Sequence, residues 1–374
     1  MKRAYPHLIV LLLAFSSAFC EASSPTIAPT PSDSTSTQDE EQLQGFVPLP
    51  ILYYTPETGI AGGASIMYLR RSSRSDTTSR PSSARLDLIY TQDKQFTGEI
   101  VGDLFLGNGL HHFTADIEYD RYPSRFFGVG PEPPAGVDET YTSDFFRARL
   151  TELLALPSDF YVGAVYFYEN RFLRDLAAGG VLATGSVFGT FGGVTSGPGI
   201  TWNLDTRDNI FSTRNGAYYQ FTSLFIRPFF GSDFNFTRTD IDLRRYIRLS
   251  EDQVLSFQAL ATLIDGNPPF HKMAELGGPY IMRGYYEGRY RDRDLVALQT
   301  EYRIRVLGRF GLVGFCGVGA VAHTPGSFAI PNTKPSYGVG VRYLFDPRES
   351  VTLRADMGFG ENANGLYLNI NEAF

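Results

Sequence analysis

Asp294-Leu295-Val296-Ala297-Leu298-Gln299-Thr300-Glu301-Tyr302-Arg303-Ile304-Arg305-Val306 alternates with a period of two. Val296, Leu298, Tyr302, Ile304 and Val306 share one parity; Gln299, Glu301, Arg303 and Arg305 share the other. Successive strand side chains point to opposite faces, so the segment has one apolar face and one charged face. The split recurs in Val351–Phe359, with Val351, Leu353, Ala355, Met357 and Phe359 against Thr352, Arg354 and Asp356. It recurs again in Thr237–Leu249, with Ile241, Leu243, Ile247 and Leu249 against Arg238, Asp240, Asp242, Arg244 and Arg248. One face suits lipid and the other a polar lumen. Arg245 interrupts the apolar parity, which places it near a membrane interface, where a charge costs about 0–1 kcal/mol instead of about 2–4.

Composition agrees. The 374 residues are 14% aromatic, with 30 Phe, 22 Tyr and 38 Gly, yet mean hydropathy is only −0.14. A membrane barrel combines an apolar outer face, a polar lumen and aromatic girdles in this way. No segment after the N-terminus approaches 18 consecutive apolar residues, which excludes helical spans. At about twenty residues per strand and turn, the chain from Pro48 to Phe374 yields about sixteen strands of about 9–11 residues each. The fold expected is all-β, a 16-stranded antiparallel transmembrane β-barrel of the bacterial outer membrane.

Strands are expected to start near Phe46, Ile60, Ser83, Phe96, Leu110, Thr142, Phe160, Val194, Ala217, Phe234, Gln253, Asp294, Phe310, Ser336, Ser350 and Leu366. Tight connections (Gly107–Gly109, Leu156–Asp159, Ser250–Asp252, Asp346–Glu349) alternate with long ones (Arg121–Tyr141, Arg171–Gly193, Asp265–Arg293). Short periplasmic turns and long outer loops fit that pattern. Ser72–Ser82 and Leu204–Gly216 are the exceptions, long but counted as periplasmic.

Met1-Lys2-Arg3, the apolar run Leu8–Phe19 and small residues near Ala22 read as a secretory signal peptide, residues 1–22. Cys20 raises lipidation as a second reading, but Phe19 stands where such sites want a small residue. Residues 23–45, rich in Ser, Thr, Pro and acids, read as a disordered leader, and 46–374 as the barrel. With the signal removed, Cys316 remains alone, so no intrachain disulfide is expected. A net charge of −7 argues against a nucleic-acid partner.

Leu276-Gly277-Gly278-Pro279-Tyr280-Ile281-Met282-Arg283-Gly284-Tyr285-Tyr286-Glu287-Gly288-Arg289 fills the long connection before the twelfth expected strand. Here the sequence resembles the Omp85 (BamA/TamA-like, bacterial surface antigen D15) superfamily, whose sixth outer loop carries a Val-Arg-Gly-Phe/Tyr motif. The counterpart is Met282-Arg283-Gly284-Tyr285. Asp205-Thr206-Arg207-Asp208-Asn209 with Asn215-Gly216 is similar to the family's turn before the ninth strand. Phe127-Gly128-Val129-Gly130 and Gln299-Thr300-Glu301-Tyr302-Arg303 add to the resemblance, which runs from Pro48 to Phe374 in order.

Independently of the resemblance, an arginine carried into a lumen must find a carboxylate, because a desolvated unpaired guanidinium is costly. Glu301, on the lumen parity of the adjoining strand, is the expected partner of Arg283. The resemblance implies a second acid in a Phe-x-Asp-x-Gly motif, but this chain reads Phe315-Cys316-Gly317-Val318-Gly319. With Gly317 in that place, the loop anchor is either weaker or supported by another acid such as Asp356. Pro48 and Pro50 in the first strand remove ladder donors. They mark either a strand that begins late or a thin seam with the last strand, which ends in Phe374. Omp85 barrels are thought to open there, and the terminal Phe is similar to the tail by which barrels are handed to the assembly machinery.

Enzyme chemistry finds no support: there are five histidines and no Gly-x-Ser-x-Gly elbow. His111 and His112 are adjacent on a strand, so they point apart; neither a metal nor a cofactor is expected. Two functions compete. The resemblance implies an assembly or translocation barrel that helps polypeptide or lipid enter or cross the outer membrane. Its partners would be outer-membrane lipid, the barrel assembly machinery during biogenesis, and a client or periplasmic partner the sequence does not name. Against it, assembly members carry POTRA modules of about 75 residues, and Ser23–Gln44 is too short for one, so a barrel-only member is expected. The alternative is a passive channel or structural surface antigen with a loop-plugged lumen.

Overall fold

The structure is a computed structural model and describes residues 43–71, 82–107, 109–134, 136–210, 212–346 and 350–374. The expected signal peptide, Cys20, most of the expected leader, residues 72–81 and the turn at 347–349 lie outside them. Among the described residues eighteen strands occur: β1 (Leu43–Thr55), β2 (Gly59–Arg71), β3 (Ser82–Thr91), β4 (Phe96–Leu106), β5 (His111–Phe126), β6 (Glu139–Leu156), β7 (Phe160–Arg174), β8 (Gly193–Asp205), β9 (Gly216–Ile226), β10 (Asn235–Ser250), β11 (Gln253–Asn267), β12 (Ala274–Leu276), β13 (Tyr290–Asp292), β14 (Asp294–Leu307), β15 (Phe310–Ala322), β16 (Lys334–Asp346), β17 (Val351–Gly360) and β18 (Ala363–Ile370). Sixteen of them close into one antiparallel barrel; β12 and β13 pair separately.

Period-two patterning decides which way each strand faces. On β14, Val296, Leu298, Tyr302 and Val306 are exposed, while Gln299, Glu301 and Arg303 are buried. Outward side chains form an apolar belt and inward ones a polar lumen. Arg245 is exposed toward the short-turn end of β10, opposite Phe257 of β11. Every barrel strand starts within three residues of its expected position. The first strand takes in Leu43–Gly45, which the sequence reading leaves in the leader. The long connections are shorter than expected because the ladder continues above them: β5 runs on to Phe126, β6 begins at Glu139 and β7 ends at Arg174. β6 has 18 residues, well beyond the roughly 9–11 that cross a bilayer. That wall therefore stands taller than the 8-residue β18.

The last strand stops at Ile370. Asn371 adopts a left-handed φ of 58°, and the chain then turns away from the ladder, leaving Glu372 half-buried and Ala373 and Phe374 buried. The alternating tail Leu366–Phe374 thus divides into a closing strand and an inward-turned end.

Candidate functional site: the lumen loop and its arginine

The connection from β11 to β14 folds back into the lumen. Its hairpin pairs Ala274 with Asp292 and Leu276 with Tyr290. Leu276, Met282, Tyr285 and Tyr290 pack on Leu295, Ala297 and Val321 of the inner wall. Two glycines make the deepest approach possible. A Cβ on Gly284, whose φ is 112°, would stand 2.6 Å from the backbone carbon of Phe359. A Cβ on Gly358 would stand 2.6 Å from that of Arg283. Only residues without a side chain let loop and β17 touch backbone to backbone.

This contact sets Arg283 into the wall at 1% exposure. Its Nη2 donates to Glu301 Oε2 across 2.6 Å and its Nη1 to Asp356 Oδ2. Its guanidinium carbon lies 3.5 Å from the centre of the Phe315 ring, a stacked cation–π contact that a planar fork suits. Ser336 Oγ donates to the Arg283 carbonyl across 2.5 Å, and Gly284 N donates to Tyr367 Oη across 3.0 Å. Met282, at a left-handed φ of 55°, donates from its N to Gln299 Oε1 at 2.8 Å. Tyr285 Oη donates to the Pro335 carbonyl at 2.8 Å. The four motif residues therefore hold β14, β16, β17 and β18 at once.

Gly317 explains why the second acid comes from elsewhere. A Cβ there would lie 3.2 Å from Met282 Sδ and 2.9 Å from the Leu298 carbonyl. The loop occupies the space a carboxylate would need, and Asp356, two strands on, reaches Arg283 instead.

Several residues that the sequence reading left unassigned complete the cluster. Arg342 Nη1 donates to Asp356 Oδ1 at 2.5 Å, and Arg303 Nε to Glu301 Oε1 at 2.6 Å. Glu372 from the tail accepts from Arg342 Nε at 2.7 Å and lies 3.6 Å from Arg303 Nε. Arg354 is 3.5 Å from Asp356 Oδ2. Four arginines thus share three carboxylates. Lumen parity was the available signal for Arg342; the bend at Asn371 that delivers Glu372 had none.

The loop has a second anchor on the far wall. Lys272 Nζ is 2.5 Å from Oε2 of Glu169 on β7, whose Oε1 accepts from Arg171 Nε at 2.7 Å. Phe270 packs edge-on against Phe126 and Tyr141.

The turn between β8 and β9 closes on itself. Arg207 Nε and Nη2 donate to Asp205 Oδ1 and Oδ2, both at 2.8 Å. Asp208 accepts from the backbone N of Arg214 at 2.9 Å and of Asn215 at 3.1 Å. Gly216 has φ 114°, and a Cβ there would sit 2.2 Å from the Thr206 carbonyl. The turn meets the cluster where Arg303 Nη1 donates to the Thr213 carbonyl at 3.2 Å.

The seam contrasts with every other strand pair. β1 and β2 register over thirteen residue pairs, from Leu43 with Arg71 to Thr55 with Gly59. β1 and β18 share one, Tyr54 with Leu368. Pro48 and Pro50 lie inside β1, exposed, opposite Ile66 and Ala64. Residues two apart aim their N–H groups at the same edge, so both missing donors fall on one side of β1. Phe374 is not in the seam: it is buried beyond the strand end, its carbonyl accepting from Arg303 Nη2 at 2.8 Å.

His112 Nε2 lies 2.8 Å from Asp103 Oδ1, and His111 Nδ1 lies 3.2 Å from Glu152 Oε1, on opposite faces. Among the described residues no group of His, Cys, Asp and Glu is arranged to hold a metal.

Residues 183–346, which hold the lumen loop and Glu301, match the Omp85 superfamily domain. That match covers less than half of the chain. Its barrel superposes on that of BamA from Haemophilus ducreyi lacking POTRA domains 1-3, with a TM-score of 0.61 at 12% identity, covering 88% of this chain and 70% of that one. CdiB from Acinetobacter baumannii gives 0.56 at 13% identity over 88% of this chain and 59% of that one. CdiB from Escherichia coli gives 0.56 at 11% identity over 87% and 62%. The chain thus spans less than two thirds of either CdiB. No curated protein sequence matches it. At these identities the likeness is one of fold: a closed sixteen-stranded antiparallel barrel.

Proposed function

We propose that this Omp85-type barrel is an assembly or translocation factor that aids entry or passage of polypeptide or lipid at its seam. The single residue pair between β1 and β18 carries the reading. A closed barrel leaves no edge, whereas a strand pair held at one point leaves two rows of backbone groups ready to pair with an incoming chain. The lumen loop supports it by filling the pore, which turns traffic toward the wall. In-cell photocrosslinking from Tyr54 and Leu368 tests the reading: adducts with nascent barrel proteins or lipid are expected, and a seam that captures neither removes it.

A second reading is a surface barrel with a permanently plugged lumen. The density of ionic contacts around Arg283 and Lys272 favours it. A seam that can be locked without cellular consequence decides for it.

A further inference from the structure

On the outer face, one transverse row is cut low. Backbone register aligns Ala84 of β3 with Gly102 of β4 and Gly102 with Ala115 of β5. The row above carries Leu86, Ile100 and Ile117, and the row below Leu104 and Phe113. Tyr68 closes one end, and Leu150, in register with Ala115 and backed by Tyr166, closes the other. The result is a trough of about 740 Å³, open toward lipid and mostly apolar in its lining, with Glu152 beside Phe113 at the β6 end, far from Arg70 on β2. It lies at the short-turn end, which in outer-membrane barrels faces the periplasm. Arg70 stands exposed at its lower margin, paired in register with Ser82 at the end of β3.

We propose that this trough is a docking site for a phospholipid of the periplasmic leaflet, one acyl chain lying over Gly102 and the phosphate meeting Arg70. An acyl chain fits a concave, apolar surface already in contact with hydrocarbon. A guanidinium at headgroup depth supplies the complementary charge and the fork that phosphate oxygens accept. The trough sits across β2–β8, away from the single-pair contact of β1 and β18, so a bound lipid there is independent of traffic at the seam.

Filling the trough is structurally tolerable, because a Cβ at Gly102 meets nothing nearer than the Ser83 carbonyl at 4.0 Å. Gly62, on the same outer face but outside the trough, has nothing within 4 Å and serves as control. The full barrel, purified in detergent and titrated with palmitoyl-oleoyl phosphatidylglycerol, is read by native mass spectrometry. Wild type and Gly62→Leu should retain one lipid. Gly102→Leu should retain it about tenfold less, the effect of displacing about two methylenes. Arg70→Gln, a surface change that leaves the trough intact, should also weaken retention. Equal retention in Gly102→Leu overturns the acyl site, and equal loss in Gly62→Leu overturns its location. Unchanged binding in Arg70→Gln overturns the phosphate contact, and displacement by lipopolysaccharide in preference to phospholipid overturns the leaflet.

Discussion

Arg342 Nε donates to Glu372 Oε2 across 2.7 Å, while Nη1 of the same guanidinium donates to Asp356 at 2.5 Å. Asp356 is also the acid that receives Arg283. The chain's inward-turned end and the tip of its lumen loop therefore share one ionic cluster. Each buried carboxylate in it is held by at least two arginines, so removing one cation leaves charge that the remaining ones hold less well.

The Arg283→Ala barrel should lose about 3–5 kcal/mol, the usual cost of breaking a buried ion pair from one side. Arg283→Lys should not restore it, since a point charge cannot reach Glu301 and Asp356 with parallel donors while stacking on Phe315. Conductance across a planar bilayer should rise from nearly closed to flickering open states. The rise should be larger in Arg283→Ala/Lys272→Met, because Lys272 still ties the loop to Glu169 in the single variant. Wild-type conductance that is already large, and unchanged by either substitution, is incompatible with a plugging loop.

Gly284→Ala should be as damaging as loss of the arginine, though it removes no contact. The added Cβ would press on the Phe359 backbone at 2.6 Å and 2.7 Å in a left-handed conformation. A strained position of this kind costs about 1–3 kcal/mol before the clash is counted. Limited proteolysis checks it: cleavage near Arg289 should appear in the variant and be absent from wild type. Equal protection would mean that loop and β17 do not touch.

Much of this was legible in the sequence, for a physical reason. A barrel wall meets lipid on one side and a polar lumen on the other, so Val296-x-Leu298 and Glu301-x-Arg303 reveal both faces and the register of β14. Glu301 was reachable as a partner because it shares the adjoining strand's lumen parity. Asp356 could be named only as a supporting acid, and Gly317 only as an absence. That Met282 fills the space beside Gly317 depends on how the loop folds. Glu372 and the Lys272–Glu169 contact were invisible because they join segments by closure of the whole barrel. The bend at Asn371 is a single left-handed residue, and nothing in the alternating tail announces it.

A disulfide at the seam separates the two functional readings. Directly opposed antiparallel residues have Cα atoms about 4.5–5.5 Å apart, inside the range a disulfide spans. Tyr54→Cys/Leu368→Cys, in a Cys316→Ser background that removes the exposed thiol, should therefore oxidise without distorting the strands. Oxidation should abolish any growth or assembly phenotype rescued by wild type, and reductant should restore it. Full rescue by the oxidised barrel would leave the plugged surface barrel as the better account.

Glu57, in the turn joining β1 and β2, makes the seam side sensitive to pH. It is 4% exposed, and its Oε1 accepts from the backbone N of Glu287 in the lumen loop at 2.9 Å. Burial holds its carboxyl above the ordinary carboxylate range, and the Glu287 N–H offsets only part of that. The folded barrel therefore binds this proton more tightly than the unfolded chain. Stability from it is complete below the unfolded pKa of about 4.3 and is lost as pH rises through the higher folded value. Glu57→Gln, which keeps the acceptor oxygen and removes the ionisation, should flatten this dependence and be the more stable form at neutral pH. Heat-modifiable gel mobility from pH 4 to 8 reads the difference directly. The two forms should melt together at the acid end and diverge toward neutrality, with Gln higher; parallel curves across the range would show that Glu57 ionises as freely in the barrel as outside it.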